Sequence, residues 1–496
     1  MDEVVERHHG RRPELRGLSG GGGADLISAL PTDLLLQVLV RLRCARAAAR
    51  TGVLSRRWRG LWSRLPDLTF RDVAPGPLLA VLSALEPSLS LLDIRVPLQH
   101  RATVRADQTS SLLRAAARLS PAALRFATSQ CLEEPFVDVD LSHYFQRAAS
   151  IELRGQHLRF ADPRWELPAL ESLSLAGCLI DLAVLIPLCP RLRVLRAAGV
   201  FVGNDAITVL SSSLQELVVG SNSTLTHHIH VEAPLLKQLM MSFHISGELN
   251  VSISAPMVEK VTWRCLYSKV TAGLGLWGLS GVRLLMEESN VQWVLPRVHV
   301  LCLLILAKYS HSDPNEELRF AEEIEKHMIT DFSTLELHLT TLEHAFGAFL
   351  LRLLRMHRIR TATRSLKISL HRFEMNDDGC SLLQNCPCHE PKNWRTRTIS
   401  LTNLQKLEIT GFEREDHEFD SLKLILRSAP MLKTVIMGLS KRFTPDDDWW
   451  TKLHNIFVAY PSVECNIGHS PGKHVSCLIT MLLDCFFIFV GSHAST

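Results

Sequence analysis

Histidine and cysteine residues occur in two short clusters whose side chains are suitable metal ligands. The segment CPCHEPKNW contains Cys386, Cys388 and His389, and the segment 227–230 reads HHIH. A structural zinc site usually has four ligands, so the first cluster would need Cys380 to fold back beside it. The histidines of the second cluster have no carboxylate arranged to orient them. We therefore expect no metal ion at either cluster and no cofactor, and a metal-dependent enzyme built on these residues is kept only as an alternative.

The chain lacks short motifs that position catalytic groups. It has no H-E-x-x-H sequence, and the glycine run at 20–23 is not followed by the Lys-Ser/Thr of a phosphate-binding loop. It also lacks a convincing pair of separated carboxylates for acid–base catalysis. We therefore expect that the chain is not itself an enzyme.

Composition and charge set the expected environment. The 496 residues carry a formal net charge of only +3, which gives no general attraction for nucleic acid. The twelve cysteines are scattered without the spacing of a disulfide framework, and no signal peptide precedes them. We therefore expect a cytoplasmic or nuclear protein with reduced thiols and no nucleic-acid partner, with a nucleic-acid binder as a further alternative.

Both ends of the chain differ from the rest in composition. Residues 1–24 are charged and glycine-rich, which predicts a disordered arm. The apolar segment 475–490 is interrupted by Asp484 and, at sixteen residues, is short for a bilayer span. We expect the tail 469–496 to contain a buried terminal element or a segment that an alternative gene model has produced. Membrane contact is expected only if this segment is a real anchor.

A repeat is the strongest organising feature of the chain. The pattern L-x-x-L-x-L begins at residues 148, 170, 192, 214, 236 and 258, so each copy starts 22 residues after the previous one. All eighteen key positions are apolar: Ala148, Ile151, Leu153, Leu170, Leu173, Leu175, Leu192, Leu195, Ala197, Leu214, Leu217, Val219, Leu236, Leu239, Met241, Val258, Val261 and Trp263. A 22-residue period lies in the leucine-rich-repeat range. It predicts an α/β solenoid with a parallel sheet on the concave face and helices or loops on the convex face.

Residues between the key positions are expected to point away from the core, because side chains of a strand alternate between its two faces. The central row of these residues across the sheet is Glu152, Ser174, Arg196, Val218, Met240 and Thr262. We predict that this row binds a protein target. The alternative for each residue is a solvated strand position without a partner.

The repeat becomes irregular outside residues 148–265. Copies with uneven spacing begin at Leu89 before the regular array, and at Val298, Phe332, Leu404 and Leu432 after it. Two helices are predicted in the gaps, a charged one at 313–327 and a basic amphipathic one at 346–359. We expect the second to cover the solenoid, although a basic amphipathic helix can also bind a membrane surface or a calmodulin-like partner.

The segment 30–70 is predicted to form three short helices and a strand. Pro31 fits the first turn of a helix whose leucines and valines recur every three or four residues, and Ser55 can cap a third helix carrying Trp58. Three short helices cannot bury all of these leucines and tryptophans by themselves. The remaining apolar surface predicts a partner.

This segment resembles the F-box, the helical module that docks on the small acidic Skp-type adaptor of cullin-based ubiquitin ligases. The Leu-Pro start at 30–31, the VLSRRWRGLW block at 53–62 and the strand LPDLTF at 65–70 carry the resemblance. The resemblance implies that twelve residues bind the adaptor or form the small core that shapes its binding surface. They are Leu30, Pro31, Leu34, Leu35, Val38, Leu39, Leu42, Val53, Leu54, Trp58, Leu61 and Trp62.

A second resemblance lies near the C-terminus. The segment CPCHEPKNW, the strand that begins at Leu404 and the segment SLKLILRSAPMLKTV at 421–435 resemble the FBD region of many plant F-box/leucine-rich-repeat proteins. The residues that carry it are Cys388, Pro391, Trp394, Gly411, Phe412, Glu418, Ala429, Pro430, Met431 and Leu432. The expected organisation is an arm at 1–24, an F-box at 25–70, a solenoid at 71–370, FBD-like repeats at 371–468 and the tail at 469–496.

Together, the resemblances imply a substrate-recognition subunit of a Skp–cullin–F-box type ubiquitin ligase. The F-box would bind the adaptor and, through it, a cullin, while the solenoid would bind an unknown target protein. Such a subunit needs no catalytic residue, because holding a target near a charged conjugating enzyme raises its effective concentration. The alternative is an interaction scaffold that has an F-box-like module but never enters a ligase.

Overall fold

The computed structural model of the protein describes residues 30–87, 89–96, 105–128, 136–138, 145–155, 158–159, 166–201, 206–221, 226–245, 247–267, 272–288, 299–309, 318–341, 345–372, 386, 388, 391–413, 415–440 and 444–469. The predicted arm, the apolar segment 475–490, Cys380 and His389 lie outside these residues. Within them, no helix combines the length and hydrophobicity required to cross a bilayer.

Residues 30–70 form what we call the N-terminal module. It begins with two α-helices, α1 (Thr32–Arg41) and α2 (Ala45–Arg50). Pro31 precedes α1 as its N-cap residue, and its carbonyl accepts hydrogen bonds from the N–H groups of Leu34 and Leu35 at 3.0 and 3.2 Å. Proline is suited to this place because a helix start needs carbonyl acceptors but not the N–H that proline lacks.

The third helix predicted for this module is not an α-helix. The chain forms short 3₁₀ turns there, at Thr51–Val53, Arg56–Trp58 and Leu61–Arg64. Gly60 lies between the last two turns with a left-handed backbone (φ 76°), which a continuous right-handed helix does not accommodate. Ser55, the predicted cap, makes no side-chain hydrogen bond to the turn that follows it.

The rest of the described chain forms many strands and fewer helices, with no α-helix between residues 201 and 318. The strands are β1 (Asp67–Arg71), β2 (Leu91–Arg95), β3 (Ala123–Ala127), β4 (Val137–Asp138), β5 (Ser150–Arg154), β6 (Leu158–Arg159), β7 (Ser172–Ile180), β8 (Val194–Phe201), β9 (Ala206–Leu210), β10 (Glu216–Ser221), β11 (His228–Glu232), β12 (Gln238–Ile245), β13 (Asn250–Ser254), β14 (Lys260–Tyr267), β15 (Ala272–Leu274), β16 (Trp277–Glu288), β17 (His299–Tyr309), β18 (Leu318–Arg319), β19 (Phe332–Thr341), β20 (Ser365–Arg372), β21 (Lys406–Phe412), β22 (Thr434–Leu439) and β23 (Glu464–His469). The helices are α3 (Pro75–Ala84), α4 (Ala106–Arg118), α5 (Leu182–Leu185), α6 (Phe320–Lys326), α7 (Gly347–Leu354), α8 (His357–Ala362), α9 (Asp416–Ser428) and α10 (Asp447–Val458).

Both helices predicted in the gaps are shorter than expected. Of the segment 313–327, the described part forms the short strand β18 and then α6. The segment 346–359 is divided into α7 and α8, because Met356 between them has an extended ψ of 132° instead of a helical value.

The six regular repeat copies form neighbouring parallel strands, β5, β7, β8, β10, β12 and β14. Their register aligns the second key positions in one row and the third key positions in another. The rows are Ile151, Leu173, Leu195, Leu217, Leu239 and Val261, and Leu153, Leu175, Ala197, Val219, Met241 and Trp263. Every one of these side chains is at most 3% exposed. The large, mostly parallel sheet is the arrangement that a repeat solenoid requires.

The sheet extends beyond the regular copies in both directions. β1, β2 and β3 precede β5 in parallel, and β17, β19, β20, β21, β22 and β23 continue the sheet in parallel to residue 469. The irregular copies predicted from Leu89 and after residue 265 are therefore confirmed as strands.

β3, β20 and β23 were not predicted, because Pro121, Thr363 and Ser462 replace the first apolar residue of the pattern. The sheet is continuous across β20, where the predicted boundary between residues 370 and 371 falls.

One long strand interrupts the parallel order. β16 pairs antiparallel with β14, β15 and β17, and its register to β17 shifts between Ser280 and Arg283. Gly281 lies at this irregularity with φ 59°, a conformation that glycine adopts without steric strain. The parallel order resumes between β17 and β19.

A second, smaller sheet occupies segments that connect the main strands. β9, β11 and β13 pair in parallel with one another, which differs from the helices or loops expected on the convex side. The sequences AITVL and HIHVE alternate in hydrophobicity with the period of a strand. Their apolar side chains, Ile207, Val209, Ile229 and Val231, are at most 2% exposed, and a helix would not place them on one face.

A buried tryptophan anchors the segment that precedes β21. Trp394 is 1% exposed, and its indole N–H donates to the carbonyl of Cys388 at 2.9 Å. The sulfur of Cys388 in turn accepts a hydrogen bond from the N–H of Ala345 at 3.1 Å. A Cβ placed on Gly347 would lie 2.1 Å from the Trp394 ring, so the absence of a side chain at Gly347 makes room for the indole.

A chain of hydrogen bonds attaches α6 to the main sheet. The indole N–H of Trp263 donates to Nδ1 of His327 at 2.9 Å, so the neutral imidazole carries its proton on Nε2. That N–H donates to the Tyr267 oxygen at 2.6 Å, and the Tyr267 hydroxyl donates to Glu323 at 3.3 Å. Lys326 pairs with the same carboxylate. Complete burial lowers the pKa of His327 to about 3, so the ring is neutral in the folded protein.

We predict that Gly347→Ala destabilises the protein, because the added methyl group overlaps the Trp394 ring and overpacking costs about 1–3 kcal/mol. Thermal and urea unfolding measure the loss. Gly76→Ala in α3 is the matched control, since a Cβ there meets no atom within 4 Å. Equal unfolding midpoints for the two variants would show that the indole does not need this space.

We predict that His327 makes stability fall as the pH falls from 6.5 towards 3. In this window the unfolded chain binds a proton on the imidazole and the folded chain does not, so the stability present above pH 6.5 is lost on acidification. The contribution between pH 7 and pH 5 is about 2 kcal/mol, at about 1.4 kcal/mol per pKa unit. His327→Gln removes the titration, so urea unfolding of the variant should show a smaller loss over the same range. An identical pH dependence of both proteins would contradict a neutral buried His327.

Candidate interaction sites

The N-terminal module exposes half of its twelve candidate residues. Leu34, Val38 and Leu42 recur every four residues and therefore follow one stripe of α1. Val53 and Leu54, in and after the first 3₁₀ turn, are 86% and 68% exposed. We call these five residues, together with the exposed Pro31, the helical patch. Aliphatic side chains at this level of exposure, close in sequence, favour a partner surface.

Other candidate residues of the module form its core. Leu35, Leu39, Trp58 and Leu61 are at most 7% exposed. Leu30 and Trp62 are half-buried and pack against that core. The structure thus separates residues that can contact a partner from residues that hold the helices in place, a division that the pattern of leucines alone does not provide.

Positive charge accompanies the helical patch. All eight arginines between residues 30 and 70 are exposed: Arg41, Arg43, Arg46, Arg50, Arg56, Arg57, Arg59 and Arg64. The described acidic residues of the same segment are Asp33 and Asp67, both exposed. An apolar surface accompanied by arginines is complementary to a partner with apolar contacts and acidic residues around them.

The face of the main sheet opposite its core, which we call the open face, carries the predicted central row. Strand pairing aligns Glu152, Ser174, Arg196, Val218, Met240 and Thr262 across six neighbouring strands. Arg196 and Met240 are exposed, and Glu152, Ser174 and Val218 are half-buried. Thr262 differs from the expectation of an accessible position: it is only 7% exposed, on the strand next to antiparallel β16.

Ion pairs neutralise part of the charge on the open face. Glu152 accepts from Nε of Arg154 at 2.8 Å and lies 3.5 Å from Nε of Arg125. Further along the sheet, Nη2 of Arg196 lies 2.8 Å from Glu216. Salt bridges between such exposed side chains stabilise the fold weakly, so these charges can form new pairs with a ligand.

The early strands extend the central row with residues that the sequence pattern did not indicate. Asp93 of β2 aligns with Arg125 of β3, which aligns with Glu152. Asp93 is 3% exposed and accepts from Nε and Nη2 of Arg95 at 3.1 and 3.2 Å. With Arg154, these residues line a shallow pocket that has three guanidinium groups and two carboxylates. Asp93 and Arg125 lie between the apolar residues of LLDIR and ALRFA, and this alternation is the sequence signal that could have located them.

Neither cluster of potential metal ligands noted in the sequence forms a site among the described residues. Cys386 and Cys388 are each 2% exposed, but no described third ligand lies close to both. In the segment 227–230, Nδ1 of His227 lies 3.2 Å from the carbonyl of Glu248, and His228 is exposed on β11.

One strand–helix–strand unit near the C-terminus has buried features that explain its sequence. Gly411 has a φ of 80°, and a Cβ there would lie 2.4 Å from the neighbouring strand's backbone. Phe412 packs edge-on against Phe419 with ring centroids 5.4 Å apart. Glu418 is fully buried and accepts a hydrogen bond from the N–H of Glu413 at 2.8 Å. Each of these residues is required by a specific backbone or packing contact.

This unit coincides with a known family. Residues 400–437 match the family model described as FBD, and they span β21, α9 and most of β22. The FBD resemblance predicted from the sequence is therefore confirmed over residues 400–437, and the bounds 371–468 stay a prediction. The chain is a protein with a large, mostly parallel sheet that contains an FBD region.

Curated relatives support the same resemblance over short stretches. The chain is 56% identical over 46 residues to an F-box/FBD/LRR-repeat protein of Arabidopsis thaliana, and 54% identical over 46 residues to another of that description. Each alignment covers 9% of this chain and 10% of the relative. An F-box protein of the same species is 34% identical over 79 residues, which is 15% of this chain and 25% of the relative. The chain thus aligns with a quarter or less of the length of these relatives, and no solved structure matches it.

Proposed function

We propose that the protein is a substrate-recognition subunit of a Skp–cullin–F-box type ubiquitin ligase. In this proposal the N-terminal module is an F-box whose helical patch binds a Skp-type adaptor, and through it a cullin. The open face of the main sheet binds a target protein for ubiquitination. The chain itself contributes no catalytic residue.

The observation that carries the proposal is the exposed helical patch. The patch presents Val53 and Leu54 at 86% and 68% exposure, together with exposed aliphatic residues of α1. Fully burying one such side chain in an interface contributes about 1.5–3 kcal/mol. Burial of several of them, with exposed arginines facing an acidic adaptor, is sufficient for a stable complex.

The attachment of the module to the sheet supports a positioning role. Its buried residues, Leu35, Leu39 and Trp58, belong to the same continuous hydrophobic core as the repeat strands. Helix α2 packs on β1, which is the first strand of the sheet. An adaptor held by the helical patch would therefore have a fixed orientation to a target on the open face. Fixed orientation raises the effective concentration of target at the ligase.

We predict that the double variants Leu34→Ala/Val38→Ala and Val53→Ala/Leu54→Ala each weaken binding of a recombinant Skp-type adaptor by about tenfold or more, which is a loss of about 1.4 kcal/mol or more. Isothermal titration calorimetry on the full chain measures the effect. Thermal unfolding should change little, since truncation of exposed side chains usually alters stability by about 0.5 kcal/mol or less.

Val458→Ala provides the control for adaptor binding, because Val458 is 63% exposed at the end of α10, outside the N-terminal module. Its affinity should equal that of the unaltered protein. If both double variants also bind with unaltered affinity, the helical patch is not an adaptor site. Adaptor binding without a cullin in the purified complex would instead favour the interaction scaffold.

We predict that Arg196→Glu/Met240→Ala removes a defined set of proteins from those labelled by a proximity-labelling enzyme fused to the full chain. The two substitutions alter charge and contact area at exposed open-face positions, so target contacts are lost while adaptor labelling is retained. Met257→Ala, at a 53% exposed position in the turn before β14, is the control. Identical labelling by all three proteins would rule out the central row as the target site.

A further inference from the structure

The open face of the later strands contains a group of potential metal ligands. Cys302 lies on β17, and Glu336 and His338 lie on β19. Each offers one ligand atom, and these three atoms all lie within 4.8 Å of one another. Among the residues that the structure describes, this is the one combination of Cys, His, Asp or Glu side chains with three ligand atoms so close.

Strand pairing explains why these residues meet. Parallel β17 and β19 place Cys302 directly opposite Glu336, with Leu304 opposite His338. Glu336 and His338 are two residues apart on one strand, so both project from the same face. The flanking Leu301, Leu303, Leu335 and Leu337 are at most 1% exposed on the core face. The strand register thus brings the three residues together, and the rotamers of their side chains set the distances between the ligand atoms.

Several features of the group are those of ligands rather than of core residues. Nδ1 of His338 is buried and has no hydrogen-bond partner among the described residues, although buried polar atoms are normally satisfied. Glu336 and His338 are partly exposed, so the group lies at the surface of the open face although the Nδ1 atom itself is buried.

We propose that Cys302, Glu336 and His338 form a binding site for a zinc-class divalent metal ion. Thiolate, imidazole and carboxylate are the three ligand types that Zn²⁺ takes from proteins. Two ligands of a tetrahedral zinc ion lie about 3.3–3.8 Å apart, so side-chain rotation has to close a gap of about 1 Å. The fourth position remains open to water or to a side chain of a bound protein. This site does not depend on the function proposed above.

Metal binding at this site has a definite proton balance. Burial raises the pKa of Cys302 to about 12, so the metal-free cysteine is a thiol. Binding of M²⁺ forms the metal–sulfur, metal–nitrogen and metal–oxygen bonds and releases the thiol proton to solvent, with no change of oxidation state.

A neighbouring cation limits the affinity of the site. Nζ of Lys367 lies 2.5 Å from Oε1 of Glu336, and Lys367 is opposite Glu336 in the strand register. The second carboxylate oxygen of Glu336 is then the one available to the metal. The thiolate and the carboxylate together carry two negative charges, which exceed the single positive charge of Lys367.

Cobalt titration of the full-length, chelator-treated protein tests this site. Co²⁺ occupies zinc sites and gives a near-ultraviolet absorption band when a thiolate is bound. The unaltered protein should bind Co²⁺ with this band, and Zn²⁺ should displace it. Cys302→Ser should abolish the band, and His338→Gln should weaken Co²⁺ binding at least tenfold.

Matched controls separate this site from the other cysteines and histidines. Cys44→Ser and His230→Gln make the same chemical changes at other positions and should leave the titration unaltered. A band that persists in Cys302→Ser, or the absence of any thiolate band in the unaltered protein, would overturn the proposal. If Cys302→Ser fails to fold, Glu336→Gln and His338→Gln carry the test at half-exposed positions, and unchanged Co²⁺ affinity in both would overturn it equally.

Discussion

The register between parallel strands is the constraint on which the rest of the structure depends. In the main sheet, Ile151 aligns with Leu173 and Leu173 with Leu195, and the same alignment continues to Val261. A slip of one residue in any strand would expose its apolar residues and bury its polar ones, because side chains alternate between the two faces. Burial of the apolar rows therefore also fixes the order of polar side chains on the open face.

The open face changes its chemistry along the sheet because of this constraint. Its early strands carry the paired charges around Asp93 and Glu152, whereas its later strands carry Cys302 and His338. Antiparallel β16 lies between the two parts, and the hydrogen-bonded His327 holds α6 against the sheet in the same region. One continuous backbone framework thus presents two surfaces of different chemistry.

Attachment of the helical module to the sheet links the two candidate interaction surfaces. The core of the module is continuous with that of the sheet, while Val53 and Leu54 remain exposed. A module joined through a shared core cannot reorient freely, in contrast to one on a flexible linker. This rigidity is what a protein needs if it is to hold one partner in a defined position relative to another.

The sequence by itself determined the elements whose pattern is local. The 22-residue spacing identified the regular strands and their rows, because a parallel register between equal repeats follows directly from the period. Gly411, Phe412 and Glu418 likewise indicated the FBD region, which the family match and their buried contacts support. Strands such as β3 and β20 were missed where the first apolar residue of the pattern is replaced.

Only the tertiary structure decided which residues are accessible and which distant residues meet. Leu34 and Leu35 are equivalent in hydrophobicity, but only Leu34 is exposed, because packing against the rest of the module buries the other. Cys302 and Glu336 hold the same place in the copies that begin at Val298 and Phe332, but only the strand pairing shows that these two copies are neighbours in the sheet. The local sequence pattern determines which secondary structure a segment adopts. The burial of a side chain and its contacts depend on neighbours that are distant in the sequence.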